Sequence, residues 1–292
     1  MFTKEVCRIR HTNAVEYIRT MWGGSQAKLM RCSDGAYYVV KFQNNPQGAK
    51  TLANELIGTV LAATLGLPVP EPAIVNVDHD LIRFTDVLTI CFRNRKEPCR
   101  PGLCFGSRYP VTGETPRTVY DLFPLTNMST VVNLADFLGM LVFDKWTGNA
   151  DNRQVVFVRE DHPHDDSPYY RYRALMIDQG QCFDGSNWHF PDVPQKGVFF
   201  SRSPYACVDS IEAFEPWLDR LDRMSDKRVL EEIAVDIPPD WYAGDGEGLS
   251  HLLAELDERR ARVRHLLVQT RCAIPHFFPA WNSLELGRAR RI

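Results

Sequence analysis

The sequence predicts an α+β fold of two lobes, a β-rich first part and a mainly helical second part, with a cleft between them. Three observations predict it. β-Branched and aromatic runs separated by turn signals crowd the stretch up to residue 97, interrupted by one helical period. An apolar helical segment followed by a hairpin pattern occupies the middle, and from Ile211 onward leucine and valine recur at helical spacing.

The chain has 292 residues, 44% hydrophobic and 24% charged, enough to bury a sizeable core. A net charge of −3 argues against a nucleic-acid surface, and the basic GRARRI tail reads as a solvated end. No apolar run approaches the roughly 20 residues that span a bilayer. The opening residues lack the apolar stretch of a signal peptide, so a cytoplasmic protein is expected. Eight cysteines are scattered without a CxxC, and Cys91, Cys99 and Cys104 lack zinc-ribbon spacing, so all are read as free thiols.

In order, AKLMRCS and AYYVVKF read as a hairpin turned by Ser33-Asp34-Gly35. Residues 47–66 read as a helix, with Leu52, Leu56 and Val60 on one face, Ala53, Ile57 and Leu61 beside it, and Gly66 with Pro68 as its stop. PAIVNV and LTICFR suggest strands, and LIRFT between them has no clear period. Residues 98–126 hold five of the 19 prolines and little periodicity, and read as a connection between a first lobe, 1–97, and a second, 127–292. Val131, Leu134, Leu138, Leu141 and Val142 predict a helix over 130–146. QVVFVRE and YRALMIDQG then predict a hairpin whose tip, with His162, His164, Asp165 and Asp166, reads as a solvated loop. GLSHLLAELDERRARVRHLLVQT predicts a long amphipathic helix near the end, and Trp188, Trp217 and Trp281 read as core or rim residues.

Four segments can carry chemistry. GGSQAKL, Gly23 to Leu29, precedes a strand; its glycines and Ser25 suit a close approach to phosphate, although taken alone it reads as a plain turn. Lys41 ends an apolar strand, so its stem packs and its ammonium needs an anion, for which Glu55 lies fourteen residues on. FDKWTGNADNRQVVF, Phe143 to Phe157, sets two aspartates and two asparagines in a loop between rigid elements, where a carboxylate can orient an attacking hydroxyl. In MIDQG, Asp178 follows an apolar strand and precedes a glycine, a natural place for a magnesium ligand.

Taken together, these segments make the chain resemble the HipA-like kinase domains, a branch of the protein-kinase-like fold, over most of residues 20–270. GGSQAKL is similar to that family's G-x-Q-x-K segment, VVKF to its lysine strand, GNADNRQ to its G-N-x-D loop and IDQG to its D-x-G; IPPDW is similar to its approach to the last helices. The resemblance implies an ATP- and Mg-dependent phosphotransferase, a serine/threonine kinase acting on a hydroxyl acceptor. It implies that Gly24, Ser25, Gln26 and Lys28 touch the phosphates and that Lys41, partnered by Glu55, holds the nucleotide. Asp151 would be the catalytic carboxylate and Asp178 the metal ligand. The family's histidine two residues after the aspartate and asparagine five after it are here Arg153 and Val156, so Asn149, Asn152 or Gln154 would have to complete the metal site, or the site would use one metal ion. Asp144 with Asn149 offers a competing register, the D-x-x-x-x-N spacing of ordinary kinases. AMP transfer by the same fold, or a non-catalytic nucleotide-binding module, are the alternative functions, and the resemblance admits an antitoxin-like partner.

Overall fold

The computed structural model describes residues 9–110, 119–160, 170–224 and 228–281. The expected hairpin tip with His162 to Asp166, the GRARRI tail and Cys7 lie outside them.

Ten strands and seven α-helices make up the described residues. In the N-terminal part these are β1 (Arg10–Thr20), β2 (Lys28–Cys32), β3 (Tyr37–Lys41), α1 (Lys50–Thr64), β4 (Pro72–Val77), α2 (His79–Arg83), β5 (Thr89–Cys91), β6 (Lys96–Pro98) and β7 (Gly102–Arg108). The remainder contains β8 (Val119–Tyr120), α3 (Asp136–Thr147), β9 (Gln154–Glu160), β10 (Arg171–Ile177), α4 (Glu215–Arg223), α5 (Arg228–Asp236), α6 (Gly246–Arg259) and α7 (Val263–Ala273). Strands β1, β2, β3, β7 and β4 follow one another antiparallel, and β4 closes the set by pairing parallel with β1. Closure leaves this small barrel without a free edge. Strands β8, β9 and β10 form a second sheet, and β5 pairs with β6 alone.

The β2–β3 hairpin turns where the sequence says it should. Gly35 takes a φ of +80°, and the Asp34 carboxylate accepts from Ala36 N (3.0 Å) and Tyr38 Oη (2.7 Å). Helix α1 is buried over twelve consecutive residues, Thr51 to Ala62, so it lies inside the fold and not on its surface. Its apolar side chains share one core with α3, α4, α6 and α7, and a separate cluster fills the barrel. Polar residues that α1 carries are therefore held between the barrel and the C-terminal helices.

Four readings of the sequence need correction. The connection expected over 98–126 contains β7, which sits centrally between β3 and β4; Gly102, Gly106 and flanking prolines mask a strand whose partners are distant in sequence. Strand β1 was not anticipated, because it is largely exposed and its residues are mostly polar. Helix α3 begins at Asp136 and not at 130: Val131 bridges to Tyr172, Val132 N donates to Tyr172 O, and the Asn133 amide both accepts from and donates to the backbone of Ala174. The long terminal helix is broken into α6 and α7 by a 3-10 turn over Arg260–Arg262. LIRFT lies partly in the short α2.

Helix α3 carries the polar loop of residues 148–153 at its end, and its packing against α4 is close. A Cβ on Gly139 would fall 2.4, 2.6 and 2.7 Å from three ring atoms of Trp217. Gly139→Ala should therefore lower unfolding free energy by about 1–3 kcal/mol through overpacking, despite alanine's helix propensity. Urea unfolding of the variant against wild type checks this.

Candidate active site

A cavity of about 440 Å³ opens between the barrel and the C-terminal part, and its walls bring together Lys41, Glu55, Asp151 and Asp178. Residues Met21 to Ala27 arch over one side. Their turn is closed by Met21 N donating to Ala27 O (2.8 Å) and Gln26 N to Gly23 O (3.1 Å). Gly24 and Ser25 line the cavity, while Gln26 and Lys28 do not. Gln26 lies in the turn before β2 with a left-handed φ of +51°. The Gln26 amide is spent on the Cys91 backbone, donating to its O (2.6 Å) and accepting from its N (2.8 Å). Lys28 is turned to the same side, 2% exposed, with its Nζ on Thr20 Oγ1 (3.1 Å). The expectation that both reach phosphate thus finds no support in their placement. Gln47, which the sequence did not single out, lines the cavity beneath the arch, its amide 3.3 Å from where a Cβ on Gly24 would lie.

Lys41, at the end of β3, hydrogen-bonds Glu55 of α1 and donates to Asp178 Oδ1 at 2.7 Å. Burial opposes its charge, but the two carboxylates outweigh it and raise its pKa. Asp178 is the first residue after β10 and takes a left-handed φ of +60°. Burial alone would raise its carboxyl; the Lys41 charge and hydrogen bond hold it below the usual range. Burial pushes Glu55 up to about 7. Glu55 also grips the turn beyond Asp178, accepting from Gln179 N (3.1 Å) and Gly180 N (2.8 Å). Its neighbour Asn54, fully buried and unremarked in the sequence, donates to the carbonyls of Gly180 (3.0 Å), Cys182 (3.1 Å) and Gly185 (2.8 Å) and accepts from Trp188 Nε1 (2.8 Å).

The loop after α3 turns at Gly148, whose φ is +58°. Asp151 lines the cavity and is half-buried; its Oδ1 accepts from Asn152 N (2.7 Å) and its Oδ2 from Gln154 Nε2 (3.3 Å). Asp144 belongs to α3 and is 2% exposed, with both carboxylate oxygens engaged by Arg153 and one also by Asn149 Nδ2 (2.9 Å). Asn149 accepts from Asp151 N (3.0 Å), so it shapes the loop and does not face the cavity. Asn152 is exposed outside the cavity, whereas Gln154 and Val156 line it. Of the amides expected to complete a metal site, only Gln154 joins Asp178 and Asp151.

The loop is held from below. Gly197 N donates to Asp151 O (2.7 Å), and Lys145 Nζ donates to the carbonyls of Pro194 (2.7 Å) and Lys196 (2.5 Å). Burial lowers Lys145 to about 8 against the charges of Asp144 and Asp192. Among the described residues no three His, Cys, Asp or Glu side chains gather as a ready metal cage. The donor set at the cavity is hard oxygen, two carboxylates and an amide, which suits a magnesium-like ion sharing its shell with phosphate and water.

The family profile described as HipA-like kinase matches residues 15–273. Among solved structures, a Helicobacter pylori proinflammatory kinase, CtkA, superposes with a TM-score of 0.54 at 15% identity, covering 91% of this chain and 99% of its own. The Golgi casein kinase gives weaker likenesses: TM-score 0.44 at 14% identity over 91% of this chain and 74% of its own, and, with Mn and ADP bound, 0.43 at 14% over 90% and 73%. A comparison with curated protein sequences gives no significant match. The first superposition shows a kinase-like fold, and the profile match spans most of the sequence: the chain belongs to the HipA-like kinase family.

Proposed function

We propose that this chain is an ATP- and magnesium-dependent phosphotransferase that moves the γ-phosphate of ATP to a hydroxyl, a serine or threonine side chain being the acceptor. The observation that carries the reading is the buried contact chain from Lys41 to Glu55 and Asp178, opening on the same cavity as Asp151. The barrel with α1 would form one lobe, running through β7, and the remainder from β8 the other, with nucleotide held between them.

Lys41 would hold the α- and β-phosphates, and Gly24 with Ser25 would close over them. Asp178 with Gln154 would hold the metal, which neutralises phosphate charge when bound. Asp151 would orient the acceptor hydroxyl and take its proton as the bond to phosphorus forms. Asp144 is not available for that role, since its oxygens are already engaged in the protein interior. Val156, lining the cavity where the family carries an asparagine, favours one second reading, a nucleotide-binding protein that does not turn over. No helix among the described residues is long and apolar enough to cross a membrane, in keeping with action in the cytoplasm.

Incubation of purified protein with γ-labelled and α-labelled ATP tests the proposal. Transfer of the γ-label is expected; transfer of the α-label would mean AMP transfer, and no transfer with retained nucleotide binding would mean the binding role. Asp151→Asn should reduce γ-transfer by about 100-fold or more while nucleotide affinity is kept. Lys41→Met should act on binding instead, weakening nucleotide affinity about tenfold or more in calorimetric titration through loss of a charge-assisted contact.

A further inference from the structure

Arg153 is the residue that the comparison of motifs makes look like a loss, because it replaces a histidine. Its surroundings give it another task. The side chain is 1% exposed and faces a fully buried Asp144. Nε donates to Asp144 Oδ2 (2.8 Å) and Nη2 to Asp144 Oδ1, a two-pronged pair on the end of α3. The remaining nitrogen, Nη1, reaches across to the turn after β10 and donates to Ile177 O (2.8 Å) and Gln179 Oε1 (2.7 Å). These two acceptors belong to the residues immediately before and after Asp178.

Asp178 stands in a left-handed conformation, uncommon for non-glycine residues though aspartate tolerates it better than most, and hydrogen bonds flank it on both sides. Glu55 restrains the turn from the N-terminal side through the amides of Gln179 and Gly180. Arg153 restrains it from the other side, and Asp144 fixes the plane of the guanidinium so that Nη1 points at the turn. A lysine here could pair with Asp144 as a point charge but could not span both partners.

We infer that Arg153, oriented by Asp144, is a positioning residue that sets Asp178 for a divalent cation, so that the pair governs how strongly metal assists nucleotide binding. This rests on the nucleotide- and metal-binding reading of the same cavity. Groups that orient a metal ligand contribute about 10- to 100-fold to metal affinity without touching the ion.

The test is a titration of the full chain with a fluorescent ADP analogue, in magnesium and in chelator, for wild type, Arg153→Lys and the double variant Asp144→Leu/Arg153→Met. Removing Arg153 alone to an apolar residue would leave a buried carboxylate unpaired and threaten folding; removing both charges avoids that. Thermal melting without ligand confirms that each variant is folded. The expected result is metal-free affinity within about twofold of wild type and a loss of about tenfold or more in the gain that magnesium brings, in both variants. A folded variant that keeps the full magnesium gain overturns the inference, as does one in which metal-free and metal-assisted binding fall together, which would mark the pair as structural. Wild type that shows no magnesium-dependent gain overturns the underlying reading of the cavity and the inference with it.

Discussion

The backbone of residues 177–180 must satisfy several buried polar groups within one tight turn, and the rest of the site is arranged around that requirement. The carbonyl of Ile177 goes to Arg153, the amides of Gln179 and Gly180 go to Glu55, and the carbonyl of Gly180 goes to Asn54. A buried group left without a partner costs about 1–3 kcal/mol, so loss of any of these side chains would loosen the turn and free Asp178 from its left-handed conformation. Helix α1 is the element that makes this affordable. Buried on all sides, it can deliver two adjacent polar side chains, Asn54 and Glu55, to successive backbone groups of a segment over 120 residues away.

The same turn explains the charges beneath the cavity. Lys41, Lys145 and Arg153 are buried cations; Glu55 and Asp144 are buried anions, and Asp178 and Asp151 are half-buried. Burial pushes Glu55 up to about 7, and the Asp178 carboxylate adds to the rise that the Lys41 charge opposes. Asp178 and Asp151 set hard oxygens on the cavity wall, the donor type that suits a divalent cation. Lys41 keeps its charge because two carboxylates outweigh the cost of burying it.

Much of this was legible in the residues. The hairpin bearing Lys41, the helix bearing Glu55 and the hairpin ending in Asp178 each rest on local signals: a turn glycine, an apolar period, a stretch of β-branched residues. The pairing of Lys41 with Glu55 followed from the need of a packed lysine for an anion. Both Asp151 and Asp144 satisfy a motif spacing, and the sequence favours Asp151 because Asp144 falls on the preceding helix. Their environments differ because Asp144 still lies within the helical turns of α3 and points into the interior, whereas Asp151 follows the left-handed Gly148 and emerges at the cavity. Gln26 and Lys28 show the opposite case: a motif names them, but the amide of Gln26 is spent on the Cys91 backbone and the ammonium of Lys28 on Thr20, both away from the cavity.

The sequence by itself determined the α+β order, the lysine strand, the acid after β10 and the membership of a kinase family, because each depends on contacts or patterns within a few residues. Tertiary structure alone decided that β7 belongs to the barrel, that Asn54 stitches the segment after Asp178, and that Arg153 reaches the residues on either side of Asp178. Those facts depend on groups brought together from distant parts of the chain, and neither spacing nor composition encodes which buried donor will face which carbonyl. Asp178 joins the two levels. Its place at a strand end could be read from the chain, but its conformation is set by an arginine and a glutamate that only folding brings to it.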